Sequence, residues 1–317
     1  MNARYTLFRG AYRENGIALI IVLWILTLLT LIASSFIHAM RTEIGIVGNS
    51  VARAKLESAT NAAVQRAILE IMKPPQLPDR WKTDGTAQSW KYRETSMQVS
   101  INDESAKIDI NLVTEVLLRG LLRSQGVPEE EALALTDAII DWRDMDNLKR
   151  PRGAEEAEYA AAGLSYKPSN APFQSIEELR LVLGMTPALF ARLAPLITIY
   201  SRQSGINSQL ASRDVLRAIP NVTDILVDEY LKQRELARTN KQPIPVFTPA
   251  TPFPSFGNGV MTVRAEASSE DGATFVREAV VMRLPNPKRS YTFLRWQEGT
   301  LSAGADQSAT LAANSKS

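Results

Sequence analysis

The sequence predicts an α+β protein with a single transmembrane helix. A long N-terminal helix packs on an antiparallel sheet, and a large all-α domain is inserted between the sheet's early and late strands. Three observations carry this. Residues 17–37 (IALIIVLWILTLLTLIASSFI) form an uncharged apolar run, and about 20 such residues cross a bilayer as a helix. Apolar positions alternate with polar ones around Met97–Ile110 and again after Val260, so the strands stand at both ends of the region beyond the span. Between them, over 112–238, the apolar spacing is helical.

Residues 1–16 form a short leader whose Arg4, Arg9 and Arg13 flank the span. The positive-inside bias keeps that end in the cytoplasm and places the bulk of the chain outside. A cleaved secretory signal has an apolar core of roughly 7–15 residues and a small-x-small cut site; this run is longer, so the span at 17–37 is retained. Residues 38–73 continue helically, with Ile44, Val47, Val51, Ala59, Ala62, Ala63, Ile68 and Ile71 largely on one face. Pro74-Pro75 ends them. The stem is either one continuous helix or two broken near Gly45 or Gly48.

Residues 74–111 and 239–298 form the head. Met97, Val99 and Ile101 alternate with polar residues, and after Asp103-Glu104-Ser105-Ala106 come Ile108 and Ile110, which reads as a short hairpin. Strands return at Val260–Ala267, Thr274–Leu284 and Tyr291–Gln297. A lone hairpin is marginal in water, so early and late strands are expected to share one sheet on the outer half of the stem. Thr239–Gly259 is proline-rich and extended, and 299–317, small and polar, is expected to be a disordered tail.

The insert, 112–238, has a weak internal repeat. One helical hairpin opens at Ile110-Asn111-Leu112 and closes at Ile140–Arg143; another runs from Gly205-Ile206-Asn207 to Arg234; between them Phe173–Leu179 leads to Leu196–Ile199. These units resemble helix-hairpin-helix elements of the SAM-like type. Such hairpins grip phosphates through glycine turns with free N–H groups. Here the turns read Gly126-Val127-Pro128, Gly184-Met185-Thr186 and Pro220-Asn221-Val222, without a second glycine or a consistent cation, so nucleic acid is not an expected partner.

Composition narrows the chemistry. Apolar content of 45% and charged content of 22% are those of a globular protein, and a net charge of +2 over 317 residues gives no bulk case for nucleic acid or acidic substrates. The absence of cysteine excludes disulfides and thiolate chemistry, and the single histidine, His38, sits at the outer edge of the span as an interfacial residue. Neither a G-x-S-x-G elbow nor a P-loop nor an H-E-x-x-H helix is present, so the chain is not expected to be an enzyme.

The densest acidic cluster is Asp141-Trp142-Arg143-Asp144-Met145-Asp146, followed by Glu155, Glu156 and Glu158. Carboxylates gathered at a helix C-terminus repel one another and oppose its dipole unless something positive stands among them. Two readings remain open from spacing alone: a calcium ion, which takes 6–8 oxygens in flexible geometry, or pairing with Arg143, Lys149, Arg150 and Arg152 on a solvated face.

A basic leader ending in Gly16 before Ile17-Ala18-Leu19-Ile20-Ile21 resembles the class III signal of type IV pilins and pseudopilins. That resemblance implies a prepilin peptidase cutting after Gly16 and methylating Ile17, with the span left attached. The fifth residue after the cut, commonly glutamate in such subunits, is Ile21 here. A buried carboxylate there costs about 2.5–3.5 kcal/mol on insertion scales, and its absence resembles the one minor pseudopilin needing no neighbour ahead of it. Asp103–Asn111, Asp141-Trp142-Arg143-Asp144, Gly153-Ala154-Glu155-Glu156, Asn170-Ala171-Pro172-Phe173 and Val182-Leu183-Gly184-Met185 look, in that order, like the general secretion pathway protein K family.

The resemblance implies a pilin-like stem and head and a minor pseudopilin at the tip of the type II secretion pseudopilus, initiating and capping its assembly for protein export across the outer membrane. It also implies single-pass anchoring in the inner membrane with a periplasmic bulk, I- and J-type minor pseudopilins and the pseudopilus shaft as partners, and calcium on Asp141, Asp144, Asp146, Glu155 and Glu156. The hairpin repeats leave an alternative, a membrane-tethered nucleic-acid-binding component of a DNA-uptake or type IV pilus apparatus. A third reading is an anchored periplasmic hydrolase.

Overall fold

The computed structural model describes residues 15–74, 77, 79–286 and 288–300. Most of the leader, Pro75 and the tail beyond Thr300 lie outside the described residues.

The first helix, α1, is Asn15–Met72 and runs unbroken through Gly45 and Gly48. The chain divides into two units, 1–56 and 57–317. In the first, Ala18–His38 is 21 residues long and apolar enough to cross a membrane by length and composition. Its leucines, isoleucines and Trp24 all face outward. An all-apolar surface of that kind has no stable place in water.

In the second unit, a five-stranded sheet runs in the order β1-β2-β5-β6-β7, all neighbours antiparallel. Its strands are β1 (Gln88–Tyr92), β2 (Thr95–Asp103), β5 (Val260–Ser268), β6 (Thr274–Asn286) and β7 (Arg289–Glu298). One face packs on the last four turns of α1. Ala63, Val64, Ala67, Ile68 and Ile71 from the helix, and Val99, Ile101, Val263, Ala265 and Ala279 from the sheet, are almost completely buried. Alanines on both sides let helix and sheet approach closely. Arg277 on β6 fixes the contact: its Nε donates to Asn61 Oδ1 at 3.0 Å, and it pairs with Glu57 at 2.6 Å.

The expected hairpin is corrected here. β2 pairs with β1 and β5, and Ile108–Asp109 (β3) pairs in parallel with Ile197–Thr198 (β4). Alternation marks a strand but not its mate.

The sequence between β2 and β5 is mainly helical. It holds α2 (Glu115–Ser124), α3 (Glu129–Arg143), α4 (Glu156–Ala161), α5 (Pro187–Leu193), α6 (Arg213–Arg217) and α7 (Asp224–Thr239), with a 3₁₀ turn at Ile176–Leu181. Three of these start on hydroxyl caps: Thr186, Ser212 and Thr223 accept from the N–H of Leu189, Val215 and Leu226. Their apolar faces share one core, from Leu117 and Leu121 through Ile139 and Trp142 to Leu216 and Val227. The proline-rich return folds in a 3₁₀ turn at Thr248–Ala250 and sets Phe247 against Tyr230, ring centroids 4.5 Å apart.

Helices and sheet meet at Asp103–Asn111, whose polar side chains are consumed in the join. Buried Glu104 accepts from Thr262 Oγ1 on β5 at 2.6 Å, from Lys107 Nζ at 2.8 Å, and from the Thr198 hydroxyl on β4. Asp109 accepts from the N–H of Arg202 at 2.7 Å and of Asn111 at 3.0 Å. Asn111 exchanges two hydrogen bonds with the backbone of Phe173, at 2.7 and 3.0 Å. A buried polar group left without such a partner costs about 1–3 kcal/mol, so these bonds fix how the helices sit on the sheet.

Candidate metal centre

Asp141 sits in the last turn of α3, and Asp144 caps that helix. Trp142 turns the other way, stacking on Phe173 (6.2 Å, 13°) and meeting Tyr159 and Tyr166 at 5.9 and 6.4 Å. This aromatic block dries one side of the carboxylates. Asp141 is fully buried, accepts from the backbone N–H of Arg150 at 3.3 Å and of Ala154, and lies against Gly153, where an added Cβ would stand 1.9 Å from its Oδ2. Desolvation, reinforced by Asp144 and Asp137, lifts its carboxyl from the ordinary 3.8 to about 6. Burial and then the Asp146 charge raise Asp144; burial, then Asp141, Asp144 and Asp146, raise Glu155.

Four of the five sequence candidates, Asp141, Asp144, Asp146 and Glu155, are therefore gathered in one cluster, the Asp146 charge acting on Asp144 and Glu155. Glu156 is not with them: it starts α4 on the outer side and pairs with Lys167 at 2.9 Å. Sequence reasoning missed Asn170 as a candidate. It holds a left-handed φ of 47°, donates to the Asp146 carbonyl at 2.9 Å, and leaves its Oδ1 buried without a partner. Asp144 Oδ1 and Glu155 Oε1 are likewise buried and unsatisfied. The left-handed backbone, which asparagine tolerates better than most residues, is the signal that could have found it.

The four cations named as local partners are engaged elsewhere. Arg143 donates to the carbonyls of Ile110 and Val113. Lys149 pairs with Glu158 at 2.8 Å, Arg150 with Asp137 at 2.7 Å and with Glu115, and Arg152 with Glu130 at 3.2 Å. Among the described residues none forms an ion pair with the four clustered carboxylates. The donors are hard oxygens with orphaned lone pairs, which fits calcium. Their geometry is open: among the described residues, no three acidic or histidine side chains converge in a metal-binding arrangement.

The Gly126 turn is a poor anion seat. At Gly126, the following helix α3 begins Glu129-Glu130-Glu131, which repels phosphate where its dipole would attract it.

A long N-terminal helix whose outer part packs on an antiparallel sheet, with a helical domain spliced into that sheet, is a pilin-like architecture. A chain of the crystal structure of the GspK-GspI-GspJ complex from enterotoxigenic Escherichia coli type 2 secretion system has this fold, with a TM-score of 0.58 over 83% of this chain and 99% of its own, at 19% identity. The family described as type II secretion system (T2SS), protein K, matches residues 97–202, from β2 through the acidic cluster to the segment after β4. Type II secretion system protein K of Klebsiella pneumoniae is 27% identical over 59% of this chain, that of Aeromonas hydrophila 29% over 58%, and that of Pseudomonas aeruginosa 27% over 68%. The first two matches span 63% of those relatives' length, the third 72%. Residues 97–202 thus match the protein K family of type II secretion systems, and the chain is similar to its members over 58–68% of its length.

Proposed function

We propose that the chain is a minor pseudopilin of a type II secretion system, anchored in the inner membrane by 17–37 with its head in the periplasm, and that it starts and caps the pseudopilus at its tip. The observation that carries this is one chain joining an apolar 21-residue helix to a pilin-like sheet interrupted by the protein K region. The apolar helix leaves lipid only by burying its surface against similar helices, and the helical insert obstructs stacking above the head, which favours the end of a filament. Gly16 is the cleavage point and Ile17 the new, methylated terminus. Partners are I- and J-type minor pseudopilins, as in the complex that the fold neighbour's structure contains, together with the shaft.

Calcium completes the candidate centre by supplying the positive charge that Asp141, Asp144, Asp146 and Glu155 lack. Asn170 adds a neutral oxygen, and the Trp142 block excludes water on one side. The functional reading is tested on protein from native membranes. Intact mass should correspond to a chain starting at methylated Ile17, and the protein should co-purify with the I- and J-type subunits. A chain starting at Met1 that purifies alone would falsify it.

A further inference from the structure

We propose that Asn111 is a positioning residue for calcium: it sets the gap across which the two oxygen-bearing stretches of the centre face each other. This rests on the calcium reading above. Asp144, Asp146 and Glu155 stand between α3 and α4, whereas Asn170 comes from a second loop, between α4 and the 3₁₀ turn at Ile176–Leu181. At the centre the two are joined by the Asn170 Nδ2, which donates to the Asp146 carbonyl at 2.9 Å and to Asn147 Oδ1 at 2.7 Å. Each stretch also brings buried oxygens without partners, Asp144 Oδ1 and Glu155 Oε1 from one and Asn170 Oδ1 from the other. One ion compensates all of them only if the stretches are held at a fixed separation, because calcium takes its oxygens at about 2.3–2.6 Å.

The segment Ile110–Val113 holds both. Arg143, the residue before Asp144, donates to the carbonyl of Ile110 and, at 2.8 Å, to that of Val113. Between those carbonyls the Asn111 side chain takes the other loop: it accepts from the Phe173 N–H at 2.7 Å and donates to the Phe173 carbonyl at 3.0 Å, three residues after Asn170. A carboxamide suits this clasp because it offers one acceptor and one donor side by side to a backbone that offers the converse. Pro172 stiffens the chain between Phe173 and Asn170, and the Phe173 ring stacks on Trp142, next in sequence to Asp141. The segment itself is tied down. Asn111 N–H donates to Asp109 Oδ1 at 3.0 Å, Ile110 N–H to the Thr198 carbonyl at 2.9 Å, and Val113 N–H to the Asp109 carbonyl at 2.8 Å.

Among the described residues no hydrogen bond of Asn111 reaches a clustered carboxylate, so it acts on the ion through Phe173 and Asn170. Side chains that orient metal ligands from behind change affinity by about 10–100-fold when removed. Linkage makes the effect reciprocal: what the clasp adds to ion binding, the bound ion adds to the clasp. Asn111 also belongs to the join of helices to sheet, so filling the centre tightens that join without any ligand in common.

The test uses full-length chain in detergent, stripped with chelator and titrated with calcium alone by calorimetry. Asn111→Ala and Asn170→Ala should each weaken calcium binding by about tenfold or more. The double variant should be no more than about twofold weaker than the poorer single, because both residues act through one loop. Melting in chelator is read alongside. If Asn111→Ala lowers the melting temperature but leaves calcium affinity unchanged, or if its loss of affinity multiplies with that of Asn170→Ala, Asn111 is merely structural and the proposal is overturned, with calcium left standing. Should Asn111→Ala fail to fold, Asn111→Gln decides by the same fold-changes, since it keeps both polar groups but moves them out by one methylene. A wild-type chain that takes up no calcium overturns both this proposal and the calcium reading, and leaves the secretion reading untouched.

Discussion

Asp141 is buried, without an ion pair among the described residues, and its carboxyl is raised to about 6. Between pH 3.8 and about 6 the folded chain therefore holds a proton that the unfolded chain has released. Its contribution to stability is present at acid pH and lost as pH rises through about 6. In chelator, the melting temperature should fall over that interval, and calcium should flatten the fall; a melting curve insensitive to both would remove Asp141 from the centre. Asp144→Ala with Asp146→Ala should abolish calcium-dependent protection while leaving the chelator-treated protein as stable or more so, because two repelling charges are removed; calorimetry with and without the ion reads this. Asp141, Asp144, Asp146 and Glu155 were legible in the sequence because they are near neighbours along the chain. Asn170 was not, since a loop returns it to the cluster. Glu156, next in sequence to Glu155, opens α4 and pairs with Lys167 instead, which adjacency along the chain did not reveal.

At the level of elements, α2 crosses α6 where Gly120 faces the Ala218 carbonyl, and an added Cβ would lie 2.0 Å from that oxygen. Alanine favours a helix over glycine by about 1 kcal/mol, yet Gly120→Ala should destabilise the domain by about 1–3 kcal/mol as an overpacked contact. Denaturant titration of the full chain would check the sign. The helices were readable from their 3.6-residue spacing, and the late strands from alternation between turns. Strand partnership was not: Ile108 and Ile110 alternate as a hairpin arm would, but β3 takes its mate from β4 far along the chain. Gly120 was equally silent, because only the crossing helix gives the missing side chain meaning.

For the molecule as a whole, deleting 112–238 should leave membrane insertion unchanged, since the span lies entirely in the first unit. Secretion should be lost, because the joins through Asp109, Asn111 and Glu104 lose their partners Arg202, Phe173 and Thr198. Fractionation and an exoprotein assay on the same cells separate the two effects. The general plan was visible in the order of patterns along the chain, apolar run, strands, helices, strands. What could not be read was that the conspicuous polar motif Asp103–Asn111 holds sheet to helices, since its partners lie as far off as Thr262, 158 positions away.

That distance also orders events in time. Strand β2 pairs with β5 only after the whole helical region has been made, so a growing chain first presents β1 and β2 with one backbone edge vacant. Closing so long a loop is slow compared with forming helical hairpins from neighbouring residues. The helices should therefore mature first and act as the platform on which the sheet is finished. Until Val260–Ser268 arrive, the waiting edge of β2 is a template for pairing with another nascent chain. Chains interrupted before that strand should be the ones that chaperones and proteases capture, and their half-lives in pulse-chase should lengthen abruptly once the interruption is moved beyond Ser268.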